Sequence, residues 1–297
     1  ILLGANVIIF DDELSPAQIK NYHKLAKKIK VIDRSALILD IFKNHAKTRE
    51  AKTQVELALC QYLLPRLTRQ WTHLERQMGG VGTRAGMGET QIEVDRRLIR
   101  DKISKLKSDL TKIESERTTQ SQNRVNEFRV ALVGYTNAGK STLFNSLTGN
   151  NVYVKNQLFA TLDTTVRKLK LDKKHQVLIS DTVGFIRKLP HNLVASFKST
   201  LKELLEANHI LIVLDASSKI IDEHLETISQ VLNELGANEI PKSYIFNKID
   251  LVENEIDIKK LKSNYSNAIL TSALHHLRLD DVKNHLIEKI ESDFNVF

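Results

Sequence analysis

The stretch Arg129-Val-Ala-Leu-Val-Gly134-Tyr-Thr-Asn137-Ala138-Gly139-Lys140-Ser141-Thr142 decides how this chain folds. Arg129–Val133 is a short apolar run that reads as a buried strand, and Lys140–Thr148 starts a helix. Gly134 to Ser141 matches G-x-x-x-x-G-K-[ST] in the strand-to-helix context that gives this spacing its meaning. Such a loop lets backbone N–H groups wrap a phosphate, and the helix start adds a favourable dipole. Lys140 is expected to reach the β and γ phosphates, and the Ser141 hydroxyl to ligate Mg2+. A chance glycine turn before a helix is the bland alternative.

Working outward, Asp181-Thr-Val-Gly184 follows the apolar run Val177–Ser180, 41 residues after Lys140. An acid at that strand end can hold Mg2+ through water, and the Gly184 N–H can sense a γ-phosphate. Asn247-Lys248-Ile-Asp250 follows the run Ser243–Phe246 and selects the base. A carboxylate at Asp250 can accept from both N1–H and the exocyclic amine of guanine. Adenine lacks that donor pair and would leave a buried acid unmatched, at a cost of several kcal/mol. Asn247 is expected on the other edge of the base and the stem of Lys248 on its face. Ser272-Ala273, after Ala268–Leu270, is expected to bring a backbone N–H near the guanine O6. Together these motifs predict a site for GTP and GDP.

Between the first two motifs lies Phe159-Ala-Thr161-Leu-Asp-Thr164-Thr165. A switch loop there is expected to supply a threonine to Mg2+ and the γ-phosphate, with Thr161 preferred over Thr164 and Thr165. Plain β-formers leading into Val166–Leu171 would read the same way. Phe185 follows Gly184 where Ras-like enzymes carry a glutamine that orients water. Slow hydrolysis by the isolated protein, accelerated by a partner, is therefore expected. Asn137 permits K+ to act in the phosphate loop, although asparagine is also a common loop-former.

The runs Arg129–Val133, Val177–Ser180, Ile210–Leu214, Ser243–Phe246 and Ala268–Leu270 alternate with helical stretches near Asn192–Glu206, Asp222–Leu235 and Asp280–Glu291. That rhythm predicts an α/β domain over 128–297, with a mostly parallel sheet covered on both faces. Upstream the pattern differs. NVIIF at 6–10 reads as a strand, Ser15 with Pro16 as a helix start, Val31–Asp33 as a strand, and a helix follows from about Ser35. This is the end of a small α/β unit over 1–45.

Residues 46–127 read as a long antiparallel helical hairpin. Val55, Leu59, Tyr62, Leu63, Leu67, Trp71 and Leu74 recur at helical spacing, with a kink expected at Pro65. Ile92, Ile99, Ile103, Leu106, Leu110 and Ile113 form a heptad seam on the second helix. The glycine-rich stretch 78–89 forms the tip, and a linker is placed near 121–127.

The net charge of +8 divides as +2 over 1–45, +5 over 46–127 and +1 over 128–297. The basic hairpin suggests an acidic partner such as nucleic acid, though a solvated helical face gives the same excess. Cys60 is the only cysteine, so no disulfide forms within one chain and a reducing cytoplasm is favoured. No apolar run approaches the roughly 20 residues that cross a bilayer. The chain starts at Ile1 and is read as beginning inside a longer gene product.

GGVGTRAGMGETQIEVDRRLIRDKI at 79–103, FDDELSPAQ at 10–18, FATLDTT at 159–165 and DTVGF at 181–185 closely resemble the HflX family of ribosome-associated GTPases. The resemblance covers nearly the whole chain. It implies a Ras-like P-loop domain preceded by the hairpin and the remnant of a small α/β unit. It also implies a cytoplasmic, monomeric factor that binds the large ribosomal subunit and splits or rescues stalled ribosomes. The hairpin tip would then reach the peptidyl-transferase RNA, with Gly79, Gly80, Gly82, Arg84, Gly86, Gly88, Arg96 and Arg97 as contacts. The chain departs from the family at Thr164 and Met87, where proline is common, and in its short upstream segment. Two other readings stay open: a nucleotide-gated assembly or hibernation factor, and a regulatory GTPase acting on a protein.

Overall fold

The computed structural model describes residues 5–25, 29–67, 91–121, 127–149, 162, 164–186, 202–265 and 268–293. The chain divides into two compact units near Thr119–Gln120.

In the first unit, β1 (Val7–Phe10) and β2 (Lys30–Asp33) pair in parallel, with Ile8 opposite Val31 and Phe10 opposite Asp33. Helix α1 (Pro16–Leu25) crosses between them. Ser15 and Gln18 form a reciprocal cap: the Gln18 N–H donates to Ser15 Oγ, and the Ser15 N–H donates to Gln18 Oε1. Helix α2 (Arg34–His45) is capped by Asp33, which accepts from the Ala36 N–H at 2.8 Å.

Helix α3 (Arg49–Leu63) begins at a Thr48 cap and stops at Leu63. The expected kink at Pro65 is a full stop: Leu64–Arg66 form a single tighter turn, because proline lacks the N–H an α-helix needs. The continuation toward Leu74 and the tip at 78–89 lie outside the described residues.

Helix α4 (Gln91–Ser121) runs for 31 residues. Ile99 and Leu106 of the expected seam pack with Leu57 and Cys60 of α3, supported by Leu64, Leu67, Ile103 and Leu110. Glu56 pairs with Lys102 at 2.6 Å, and Arg96 donates to the Leu67 carbonyl. Later α3 residues thus meet earlier α4 residues, so the two helices are antiparallel.

Among the described residues the second unit holds a six-stranded sheet in the order β4-β5-β3-β6-β7-β8. The strands are β3 (Arg129–Gly134), β4 (Thr165–Lys170), β5 (Gln176–Asp181), β6 (His209–Asp215), β7 (Lys242–Asn247) and β8 (Ile269–Leu270). All pairings are parallel except β4 with β5, where Val166 faces Ser180 and Leu169 faces Val177. That antiparallel edge hairpin is the part of the sheet that strand–helix alternation did not announce.

Alternate residues face opposite sides. Val130, Leu132, Leu211 and Val213 join α5 (Lys140–Thr148) through Leu143, Phe144 and Leu147. Helix α9 (Leu279–Asp293) joins the same core through Val282, Leu286 and Ile290. Ala131, Val133, Ile210 and Ile212 are also buried, and α7 (Ile221–Leu235), with buried Ile228 and Leu232, packs against β3 and β6. Two further helices are described in this unit: α6 (Lys202–Leu205), which is all that is described of the expected 192–206 helix, and α8 (Glu255–Asn264), which sequence periodicity missed.

Candidate nucleotide site

β3 lies between β5 and β6, so the chain leaves its carboxyl end where the sheet order reverses. Open α/β sheets form their ligand crevice at this point. Gly134 closes β3, and a Cβ there would come within 2.2 Å of the Val213 carbonyl oxygen. Only glycine lets the two strands approach this closely. Asn137 and Gly139 both take left-handed backbone, at φ of 62° and 89°. These reversals turn the loop into the first turn of α5, whose start has no side-chain cap. An uncapped helix start leaves backbone N–H groups that an anion can take up. Ser141 and Thr142 stand half-buried in that first turn.

Lys140 is buried, and its ammonium donates to the Gly134 and Tyr135 carbonyls, each at 3.1 Å. Burial lowers its pKa to about 8, partly opposed by the negative charge of Asp181. Asp181 closes β5 and is 2% exposed.

The chain after Asp181 folds back over the phosphate loop. Phe185 N–H donates to the Gly134 carbonyl at 3.0 Å, and Thr136 N–H donates to the Phe185 carbonyl at 2.8 Å. A Cβ on Gly184 would lie 2.9 Å from Thr136 Cα and 3.1 Å from Lys140 Nζ. The Phe185 ring is buried, so the residue that replaces a water-orienting glutamine is packed away.

At the other end of the loop, Asn247 spends both ends of its amide on backbone. Nδ2 donates to the Ala138 carbonyl at 3.0 Å, and Oδ1 accepts from the Ala273 N–H at 2.9 Å. Ser146 of α5 donates to the Ala273 carbonyl at 2.8 Å. One amide proton of Asn247 is left over for a base. Lys248 takes left-handed backbone (φ 63°), and its ammonium pairs with Asp215 at 2.7 Å. Asp250 lies in the short turn Ile249–Leu251, and Ser272 and Ala273 are buried beside Asn247.

Lys140, Asp181, Gly184, Asn247 and Ala273 therefore converge around one loop, with Asp250 in the turn that follows Asn247. Thr161 lies outside the described residues. Thr164 directly precedes β4, and Thr165 is its first residue, opposite Asp181. Gly79, Gly80, Gly82, Arg84, Gly86 and Gly88 also lie outside the described residues. Arg97 is exposed, whereas half-buried Arg96 is turned onto the Leu67 carbonyl.

Sequence reasoning missed Asp215 and Ser146. Asp215 had a readable signal, since it closes an apolar strand as Asp181 and Asn247 do. Among the described residues no helix is long and apolar enough to cross a membrane, and no cluster of three or more His, Cys, Asp or Glu is arranged to hold a metal.

Three families match successive segments. They are described as GTP-binding GTPase N-terminal over residues 2–43, GTP-binding GTPase Middle Region over 45–124, and 50S ribosome-binding GTPase over 129–248. Among solved structures, a GTP-binding protein from Sulfolobus solfataricus in complex with GDP matches with TM-score 0.53 and 26% identity. It covers 95% of this chain and 80% of that one. An SsGBP–GDP complex matches with TM-score 0.57 and 27% identity, covering 97% and 82%. GTPase HflX of Escherichia coli is 46% identical over 98% of this chain and 68% of its own length. GTPase HflX of Flavobacterium psychrophilum is 48% identical over 97% of this chain and 67% of its own. The chain spans about two thirds of the length of both curated relatives. Identity at that level over nearly the whole chain makes this chain a member of the HflX family and a GTP-binding, GTP-hydrolysing enzyme.

Proposed function

We propose that the protein is a cytoplasmic, monomeric GTPase that binds the large ribosomal subunit and uses GTP to split or rescue stalled ribosomes. The observation that carries this reading is the match of 129–248 to a family described as 50S ribosome-binding GTPase, joined to an antiparallel hairpin that bears most of the excess positive charge. Residues 1–45 act as the end of an α/β unit, 46–127 as the RNA-reaching hairpin and 128–297 as the G domain.

In this reading the N–H groups around Asn137, Ala138, Gly139, Ser141 and Thr142 cradle the phosphates. Lys140 gives up its two carbonyl partners for the β and γ phosphates. Gly184 senses the γ-phosphate, and Asn247, Lys248, Asp250, Ser272 and Ala273 select guanine. The donor set suits Mg2+: a helix-start hydroxyl at Ser141, a strand-end carboxylate at Asp181 acting through water, and Thr161 from the switch. The metal would neutralise phosphate charge there. Asn137 is exposed in left-handed backbone at the loop's crest, a position compatible with a K+ ligand. With Phe185 buried, the position after Gly184 offers no glutamine to orient water, which favours a hydrolysis rate set by the ribosome.

Sucrose-gradient analysis of 70S particles with protein and GTP tests the reading. Conversion to subunits supports splitting. Binding to large subunits without loss of 70S particles points instead to a nucleotide-gated assembly or hibernation factor.

A further inference from the structure

Tyr135 stands at a position of the phosphate-loop spacing where the motif makes no demand on the side chain. Its ring nevertheless has a partner. It stacks on His224 of α7, with ring centroids 4.0 Å apart and planes 18° apart. Both residues are half-buried. Flat rings stacked in this way attract one another beyond the area they bury. The helix that carries His224 is itself well anchored. Its Ile228 and Leu232 are buried, and Asp222 in its first turn accepts from the Tyr265 hydroxyl at 2.9 Å. His224 N–H donates to the Ile220 carbonyl at 3.1 Å.

The backbone of Tyr135 and Thr136 is the bed on which the segment after Asp181 lies. Phe185 bridges Tyr135 in parallel, through its bonds to the Gly134 carbonyl and the Thr136 N–H. Gly184 packs so closely on Thr136 that a Cβ would lie 2.9 Å from Thr136 Cα, and it would lie 3.1 Å from Lys140 Nζ. The Tyr135 carbonyl accepts from that same ammonium at 3.1 Å. Gly184 therefore already rests beside the phosphate-binding lysine, and a ring stack from α7 steadies the bed beneath it.

Resting on the assignment of Gly184 to the γ-phosphate, we infer that His224 is a positioning residue for γ-phosphate sensing and acts through Tyr135. With the stack in place, the crossing of Thr136 and Phe185 holds the Gly184 N–H where a third phosphate meets it without rearrangement. Without the stack, a diphosphate still finds the N–H groups at the start of α5, which do not depend on the Tyr135 ring. The triphosphate must then order the crossing itself, and lost preorganisation is read as lost affinity. The stack therefore favours GTP over GDP.

The test measures affinities of the full chain for GDP and for the non-hydrolysable analogue GMPPNP, each in Mg2+ buffer, by competition with a fluorescent GDP analogue. The wild type is compared with His224→Ala, His224→Phe, Tyr135→Ala, the double variant of His224→Ala with Tyr135→Ala, and Gly184→Ala. His224→Ala should lower GMPPNP affinity relative to GDP by roughly three- to tenfold, the scale of one aromatic pair, with GDP affinity unchanged. His224→Phe, which keeps a flat ring, should keep the wild-type ratio. In the Tyr135→Ala background, His224→Ala should change the ratio no further. A wild-type ratio in His224→Ala overturns the inference. So does an equal loss for both nucleotides, which a merely structural role would give, and so does an undiminished effect of His224→Ala when Tyr135 is already alanine. A Gly184→Ala variant with the wild-type ratio overturns the assignment of γ-phosphate sensing to Gly184 itself, whatever the His224 variants do.

Discussion

Asn247 and Ala138 lie 109 residues apart in the chain, and one hydrogen bond joins them: Nδ2 of the asparagine donates to the alanine carbonyl at 3.0 Å. Its Oδ1 accepts from Ala273. One buried side chain therefore ties the phosphate loop to both base-selecting segments. Asn247→Ala leaves two buried backbone groups unpaired, each costing about 1–3 kcal/mol. A loss of roughly 2–4 kcal/mol in urea unfolding of the G domain is expected, with GDP affinity reduced at least tenfold by calorimetry.

Gly139 tests the same junction from the other side. A Cβ there would sit 2.2 Å from Asn247 Nδ2, on backbone already at φ 89°. Gly139→Ala must break that contact and strain the loop, so it should cost about 1–3 kcal/mol and abolish measurable GDP binding while the circular dichroism spectrum keeps its α/β form.

Lys140 sets a pH dependence whose sign follows from its lowered pKa. The unfolded lysine titrates near 10.5 and the folded one at about 8, so burial of its charge costs stability fully below pH 8, and the cost is relieved as pH rises from 8 toward 10.5. Stability of the nucleotide-free G domain should rise across that window, and Lys140→Met should remove the rise. Phosphate favours the charged form, so GDP affinity should fall as pH climbs above 8, with proton uptake on binding visible by calorimetry in buffers of different ionisation enthalpy.

Asp33 anchors the first unit. Fully buried, it accepts from the Leu14 and Ala36 N–H groups and from the Tyr62 hydroxyl at 2.9 Å, with Arg66 at 3.5 Å. Burial and the Asp33 charge hold the Tyr62 phenol well above its usual range. Asp33→Ala leaves the Leu14 and Ala36 N–H groups without their acceptor while Arg66 keeps Glu13 at 3.1 Å, and it should cost about 2–4 kcal/mol. Limited proteolysis should show cleavage in residues 1–67 with GDP affinity unchanged.

Packing between the helices predicts a smaller effect. Leu106 is buried against Leu57 and Cys60, and Leu106→Ala should lower the stability of the hairpin by about 2–4 kcal/mol in hydrogen-exchange protection of α4.

Local signals determined much of this protein. The strand-to-helix spacing around Gly134–Ser141, the strand-end acid Asp181, the Asn247–Asp250 run after an apolar strand, and heptad positions Ile99 and Leu106 depend on residue type and sequence distance. A sequence displays both. The chain by itself therefore specified a P-loop α/β domain, a guanine preference and a helix pair upstream. Only the tertiary structure decided which distant groups meet. It laid Phe185 against Gly134, placed Asn247 between Ala138 and Ala273, and set Lys248 on Asp215 and His275 beside Asp250. It also bound the antiparallel edge strand β4 to β5. Those choices depend on strand order and on how closely backbones approach, so a hydrogen bond across 109 residues leaves no periodicity to read.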